Sequence, residues 1–360
     1  MLENLTFCAD DIRDLRDLII TSIWTDDDFR KYLRLTPAMN GEKLGFIGDL
    51  SDIGKAGAGC DPEYESPSLA NSEKTWELGE WSVPLKLCYE TLKGTIAEYT
   101  MKTGTDIADL TGSEFMEYIL YPAIEKAIKL MFWRFAWFGD KQAANIANGG
   151  VLTAGVNPEL FKTCDGLFKR LFAIGAADAD RVTAIAANNA ASYAAQKSGL
   201  LQAGVATGIV DAMRLNAPAQ LSSNPNGVIL MTRSLADALA YDVKQTYKQT
   251  MPWETIFQGL DIAEYDGVKV ARLSIWDEMI NKYENTGTKW NKPHRAVYSD
   301  LENLLVGIKT RRRQLDSQSV PDLFEGFDVT FDRVSRNNYV YASGEIGTQI
   351  RENDKVQLAY

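Results

Sequence analysis

Histidine is almost missing from this chain. Its 360 residues include one, His294, in the run KPHRAV. Zinc centres and nucleophile–base pairs usually draw on several such side chains, so neither chemistry finds a constellation here. His294, between Pro293 and Arg295, reads as a surface or hinge residue. Cysteine is nearly as scarce. Cys8, Cys60, Cys88 and Cys164 stand too far apart for a disulfide framework or a metal knuckle, and read as free thiols of a protein made in a reducing cytoplasm. No apolar run reaches the roughly 18 residues that would span a bilayer. The longest candidate, residues 128–138, is broken by Lys129 and Arg134. Positive charge is in deficit, with 38 Lys and Arg against 49 Asp and Glu and a net charge of −11. A duplex binder needs a basic stripe to displace counterions. The only dense basic run, Arg311-Arg312-Arg313 after Lys309, reads as an ion-pairing surface or an intersubunit contact.

Cofactor motifs are missing too. The stretch GDLSDIGKA from Gly48 to Ala56 falls short of a phosphate-binding loop. Five residues separate its glycines where four are needed, and Ala56 stands where a Ser or Thr should hold magnesium. No cofactor or metal is expected. Acidic clusters such as Asp26-Asp27-Asp28 and Asp61-Pro62-Glu63 supply the residue types of a two-carboxylate hydrolase. Solvated clusters of this kind are commoner than catalytic ones.

What the chain does have is one long apolar helix signal, TGSEFMEYILYPAIEKAIKLMFWRFAWFGD. Thr111 and Glu114 form a capping box, and Gly139 supplies a stop. Met116, Leu120, Ala123, Ala127, Leu130 and Arg134 follow the spacing of one helix face. Ile119, Ile124, Ile128, Met131 and Phe135 form a second row that widens the buried stripe. Such a rod would be about 40 Å long, with Pro122 as a kink or boundary. It needs a broad sheet or neighbouring subunits to cover it.

Around it the pattern changes. Trp81, Val83, Leu85, Leu87 and Tyr89 alternate with Ser82, Pro84, Lys86 and Cys88, a strand in which Pro84 removes a ladder donor and so predicts an edge or bulge. Leu44, Phe46 and Ile47 predict a shorter strand. The polar, Gly/Pro/Ser-rich stretch 51–72 predicts a long two-stranded arm, since a structureless loop of that length is uncommon in a compact domain. Ile12, Leu15, Ile19 and Ile23 share one face of an N-terminal helix too acidic for a signal peptide. Downstream, Leu160 to Ile174 predicts an amphipathic helix. The Ala-rich sequence up to Ala195 is part helix and part loop. Thr207 to Leu215 predicts a short helix, Gly227 to Met231 a buried strand, and Thr232 or Ser234 a capped helix to about Val243. Asp266-Gly267 sits between apolar alternations as a hairpin turn. Ala296 to Ile308 reads as strand, turn and strand. Phe327, Val329 and Phe331, then Asn338, Val340 and Ala342, alternate, and Val356 to Tyr360 closes the chain.

In its order of arm, hairpin, long helix, mixed insert and returning strands, the chain resembles the major capsid proteins of tailed bacteriophages. The residues that carry the resemblance are the helix ending at Trp137-Phe138-Gly139-Asp140, the unit GVILMTRSLADALAYDV, the hairpin FQGLDIAEYDGVKVARLSIWDEM, the run PHRAVYSDLENLLVGI and the closing FDVTFDRVSRNNYVYASGEIG. The resemblance implies an α+β, HK97-like capsid fold. It implies an N-terminal arm over 1–40, an extended E-loop hairpin over 41–92, and a P-domain over 93–156 and 317–360 with a spine helix at about 113–138. An A-domain over 157–316 is inserted in it. It also implies a non-enzymatic shell protein, made in the bacterial cytoplasm and residing in the virion. Its copies would assemble as pentamers and hexamers around double-stranded DNA without reading its sequence. A separate scaffolding protein, a portal and cement proteins are the implied partners, and no membrane is involved. The candidate intersubunit residues are Trp76, Trp81, Val83 and Leu85 on the arm strand, Ile12 and Leu15 near the N-terminus, and Arg311, Arg312 and Arg313. Glycines 54, 57 and 59 are the implied hinges. Lys55 with Asn337 or Asn338 and Glu345 supplies the residue types of a Lys–Asn cross-link, which needs a neutral amine in a desolvated pocket. An encapsulin-like compartment shares the fold and is the alternative within it. A two-carboxylate hydrolase is the alternative outside it.

Overall fold

The computed structural model describes residue 32 and residues 34–47, 71–88, 121–257, 260–309, 311–315, 318–322, 324–332 and 337–360. The N-terminal helix with Ile12 and Leu15, the Thr111–Glu114 capping box, Lys55 and the glycines at 54, 57 and 59 lie outside these residues.

In chain order, strands β1 (Leu35–Pro37), β2 (Lys43–Ile47), β3 (Asn71–Thr75) and β4 (Gly79–Cys88) precede helix α1 (Tyr121–Phe138). Helix α2 (Leu167–Ala177), strand β5 (Val182–Thr183) and helices α3 (Tyr193–Leu200) and α4 (Val205–Leu215) follow. Next come β6 (Gly227–Thr232), α5 (Arg233–Tyr247), β7 (Glu254–Phe257), β8 (Leu260–Tyr265), β9 (Val268–Leu273) and α6 (Ser274–Tyr283). The remainder is strand: β10 (Ala296–Asp300), β11 (Leu304–Ile308), β12 (Arg311–Leu315), β13 (Gln318–Asp322), β14 (Gly326–Asp332), β15 (Asn337–Ile350) and β16 (Val356–Ala359). Among the described residues no helix is long and apolar enough to cross a membrane.

Two sheets organise the molecule. In the first, the long strand β15 is the hub. Its first half pairs antiparallel with β4 on one edge and β14 on the other, and its second half pairs with β11, which carries β1 in parallel. The second sheet has seven strands in the order β5-β16-β10-β6-β9-β8-β7. Two separate hairpins, β2–β3 and β12–β13, complete the strand pairing.

The run GVILMT of β6 is buried at every position because both faces of the second sheet are covered. Val228 and Leu230 enter the core shared with α1, α2 and α6. Ile229 and Met231 point to the other side, into the core under α4 and α5. The expected hairpin is β8–β9, where Asp266 (φ 46°) and Gly267 (φ 80°) take the paired left-handed conformations that a two-residue turn demands.

Several expectations need correction. The amphipathic helix expected from Leu160 begins only at Leu167. Gly166 is held extended (φ −75°, ψ 169°), and its N–H donates to the Gly139 carbonyl at 2.8 Å. A Cβ on Gly166 would lie 2.6 Å from the Gly139 nitrogen, so this chain crossing requires glycine and postpones the helix. The strand, turn and strand expected at Ala296–Ile308 are present, and the two strands do not pair with each other. A single 3₁₀ turn sends β10 into the second sheet and β11 into the first. Closing strand β16 likewise pairs with β10. Strand pairing therefore crosses the expected boundary at 316/317 in both directions. On α1 the row Ile124, Ile128, Met131 and Phe135 is buried, whereas Ala123 and Ala127 are exposed and Leu130 and Arg134 half-buried. Only one of the two predicted rows is core. From Met131 to Phe138 nearly every side chain is covered, as Trp137 packs on Phe168 (5.1 Å) and Trp276 (4.5 Å).

Candidate assembly surface

Strand β4 is an edge strand. Among the described residues it pairs only with β15, which fits Pro84 and the exposed Lys86 on it, since proline and lysine both discourage further ladder pairing. Its Trp81, Val83 and Leu85 side chains face α1. Between its edge and that helix runs a groove of about 770 Å³, walled by Val83 and Leu85 on one side and Ile124, Ala127, Ile128 and Met131 on the other. Arg134 stands at its end, its Nε donating to the Leu160 carbonyl at 3.1 Å and its guanidinium lying over Phe135 and Phe161. Burial pulls this arginine below its ordinary pKa.

The expected interface residues divide here. Val83 and Leu85 are half-buried and line the groove. Trp81 and Trp76, expected to be covered by a neighbour, are each 3% exposed within this chain alone. Trp81 meets Phe132 (5.7 Å) and Phe324 (5.9 Å) edge-on in the main core. Trp76 lies against Gly307, where a Cβ would come within 2.6 Å of its ring, beside Ala38. Alternation marked Trp81 as apolar but could not say that Phe132 and Phe324 would cover it, and nothing near Trp76 says that Ala38 and Gly307 would close over that ring. Arg311, Arg312 and Arg313 form β12, with β13 as its partner.

Trp76 also fixes the base of the β2–β3 hairpin. Its N–H donates to the Glu42 carbonyl at 2.9 Å, and its carbonyl accepts from Gly41 N–H at 2.9 Å. Lys74 clamps the same base to the end of β15, donating to the Ile350 carbonyl and, at 2.7 Å, to Asn353 Oδ1. Burial lowers the Lys74 pKa, and nearby Arg170 adds to the effect. The hairpin therefore leaves the first sheet in a set direction. Lys309, part of the basic run, bridges Glu325 (2.7 Å) and Glu345, which ties the start of β14 to mid-β15. Glu345, a residue of the cross-link set, is thus engaged by Lys309.

The second sheet holds a buried polar cluster that the sequence reading missed. His294 is 2% exposed, contrary to the surface or hinge expectation. Its Nε2 lies 3.2 Å from the Gln196 carbonyl, so Nε2 carries the proton and donates. Its Nδ1 then accepts from the Ser234 hydroxyl at 2.9 Å. Burial pushes its pKa down to about 4. The N-terminus of α5 has no capping side chain of its own from Thr232. Asp277 on α6 caps it across the fold, accepting from Arg233 N–H (2.6 Å) and Ser234 N–H (3.1 Å). Burial nevertheless lifts Asp277 to about 6. Arg295 is buried with Glu284 and lies 4.8 Å from the Phe168 ring centre. These groups are engaged by one another and by backbone partners, so they brace the fold. Among the described residues no group of three or more His, Cys, Asp or Glu side chains is placed to hold a metal.

No family model and no curated protein matches this sequence. Solved structures do. The chain is similar to one in the satellite phage P4 procapsid that includes the size determination (Sid) protein, with 13% identity and a TM-score of 0.53 over 95% of this chain and 98% of that one. It is also similar to a chain of Gordonia phage Cozz (10% identity, TM-score 0.48, covering 92% and 85%) and to the capsid of the empty GTA particle computed with C5 symmetry (13%, 0.43, covering 93% and 89%). At such identities the likeness is one of fold.

Proposed function

From the HK97-like α+β fold that the chain shares with phage capsid proteins, we propose that it is a major capsid protein. Its copies would form the pentamers and hexamers of an icosahedral shell around double-stranded DNA. The observation that carries this reading is the match to a procapsid chain over nearly the full length of both partners. A fold shared over 95% of this chain and 98% of that one supports a shared mechanical role.

The surface chemistry supports the same reading. The groove between β4 and α1 leaves Val83, Leu85, Ala127 and their neighbours partly uncovered, and an apolar segment of an adjacent copy would cover them. Burying such a side chain fully contributes about 1.5–3 kcal/mol, modest for one contact and large when every copy repeats it. Trp76 and Lys74 hold the hairpin base rigidly, which suits an arm that must reach a neighbour in a fixed direction. The net charge of −11 keeps the wall from adhering to packaged DNA through phosphate contacts. Scaffolding, portal and cement proteins would be the other partners, and the virion the final location.

Expression followed by gradient sedimentation tests the proposal. It predicts a fast-sedimenting species of uniform size that protects nucleic acid from nuclease when produced during phage growth. A slow, monomeric species under all conditions would refute it. A fast species holding protein cargo and no nucleic acid would move the reading to an encapsulin-like compartment.

A further inference from the structure

Helix α3 is held to the fold by polar bonds more than by apolar contact. Of its residues only Gln196 and Leu200 are buried. The Gln196 side-chain amide donates to the Asn188 and Trp290 carbonyls (3.1 and 2.9 Å) and accepts from the Trp290 N–H at 3.1 Å. Its backbone carbonyl accepts from His294 Nε2. The 3₁₀ turn before α3 (Ala186–Asn189) is tied to the same histidine. Asn188 Nδ2 donates to the His294 carbonyl at 2.7 Å, and the His294 N–H donates to Asn188 Oδ1 at 3.0 Å. His294 is therefore the common anchor of residues 186–200. It is also the one group in these bonds that changes charge between pH 4 and 7.

The geometry opposes a second proton on that ring. Nδ1 accepts from the Ser234 hydroxyl at 2.9 Å. A proton there would set two donors face to face unless Ser234 turned its own toward Thr232 Oγ1, a longer bond at 3.3 Å. The resulting cation would lie beside the second residue of α5, where the positive end of the helix dipole repels it. The charged groups on the surrounding elements face other partners. Asp277 caps α5, Arg233 reaches Asp237 at 3.3 Å, and Arg295 is paired with Glu284. Lys197 lies over the Trp290 ring, and Lys292 over those of Phe172 and Tyr360. A neutral ring is thus the condition for α3 and α5 to close on His294 together.

We propose that His294 is an acid-released latch, and that in acid residues 186–200 lift as a local unit while both sheets stay folded. Lifting α3 takes the Gln196 carbonyl off Nε2, admits water to the ring and withdraws Leu200 from the core under α4 and α5. The sign follows from the two environments of the ring. Closed, burial holds its pKa at about 4; open to water, it returns to about 6.5. The open form binds the extra proton, so it is favoured as pH falls from 6.5 toward 4. Between pH 7 and 5 the opening equilibrium rises about 20-fold. Asp277 stays on the α5 backbone N–H groups in the open form, so its own titration does not enter. In global unfolding it does enter, with the sign opposite to that of His294, and offsets it. Acid therefore loosens this corner selectively. The inference does not depend on shell formation and holds for a lone subunit.

Amide exchange of the full chain, as dilute subunits at pH 7 and at pH 5, tests the latch. Rates are corrected for the intrinsic pH dependence of exchange and read peptide by peptide by mass spectrometry. Protection of α3 should fall about 20-fold, while protection of β6 and β15 stays constant. Unchanged protection of α3, or an equal fall in β15, would overturn the proposal. His294→Gln removes the titrating ring. Whatever its absolute level, protection of α3 in this variant should be the same at both pH values, and the parent's fall persisting in it would equally count against the latch. The comparison within the parent stands by itself if the variant does not fold.

Discussion

Trp81→Ala separates a core role from an interface role at the strand where sequence and structure disagree. Trp81 is 3% exposed in the single chain and meets Phe132 and Phe324 edge-on. Removing a buried tryptophan costs about 3–5 kcal/mol, the sum of lost transfer energy and the cavity left behind. Each edge-on aromatic pair adds roughly 0.5–1.5 kcal/mol beyond area. Against a total stability of about 5–15 kcal/mol, the variant should lose a large part of its folding free energy before any neighbour is met. Leu85→Ser is the counterpart. Leu85 is half-buried at the groove, so the subunit should lose only about 1 kcal/mol, while every copy in an assembly loses a contact. Urea unfolding of dilute subunits, followed by light scattering during assembly, measures both. Trp81→Ala should shift the unfolding midpoint strongly. Leu85→Ser should barely shift it and should raise the concentration needed for assembly several-fold. The reasoning fails if Trp81→Ala unfolds like the parent, or if Leu85→Ser assembles like it.

Further expectations concern the buried polar cluster, the chain crossing and the hairpin base. His294, with a folded pKa of about 4 against about 6.5 when unfolded, is held neutral, so the unfolded chain binds the extra proton between those values. Its contribution, about 3 kcal/mol, is complete above pH 6.5 and is lost as pH falls toward 4; as the chain's one histidine, its ring protons should titrate near 4 by NMR, and a midpoint near 6.5 would contradict the burial. Asp277 has the opposite sign. Its folded pKa of about 6 lies above the usual 3.8, so ionising it weakens the fold as pH rises through that window. Asp277→Asn should therefore gain about 3 kcal/mol relative to the parent between pH 4 and 7, and a pH-independent difference in urea unfolding would refute this. Gly166→Ala forces a Cβ to 2.6 Å from the Gly139 nitrogen. It should cost about 1–3 kcal/mol or more, seen as a lower melting temperature, and an unchanged melt would mean the crossing relaxes freely. Lys74→Met removes the donor to Ile350 and Asn353. It should speed proteolysis between residues 47 and 71 with little change in urea midpoint, and equal cleavage rates would show that the clamp does not orient the hairpin.

Features set by neighbours in sequence were legible before the structure. The Asp266-Gly267 turn, the both-faces-buried run of β6 and the edge character given by Pro84 each follow from a few adjacent residues, and each is where the fold places it. Features set by distant partners were not. Nothing near Trp81 indicates that β15 will lie beside it. Nothing near Ala127 says which of two helix rows meets the sheet. The late start of α2 depends on Gly139 and Gly166 touching across a chain crossing. His294 looked exposed beside Pro293 and Arg295, and is buried because Gln196 and Ser234 satisfy both ring nitrogens. The candidate assembly surface was half visible for the same reason. Val83 and Leu85 came from alternation, while the helix wall of the groove and the Lys74 clamp arise only when separate parts of the chain meet.

Electron microscopy of the purified full chain, negatively stained at concentrations well above those of the dilute-subunit experiments, tests the central claim most directly. Closed, uniform particles with fivefold vertices are the predicted result. A field of single, compact molecules that never associate would contradict it.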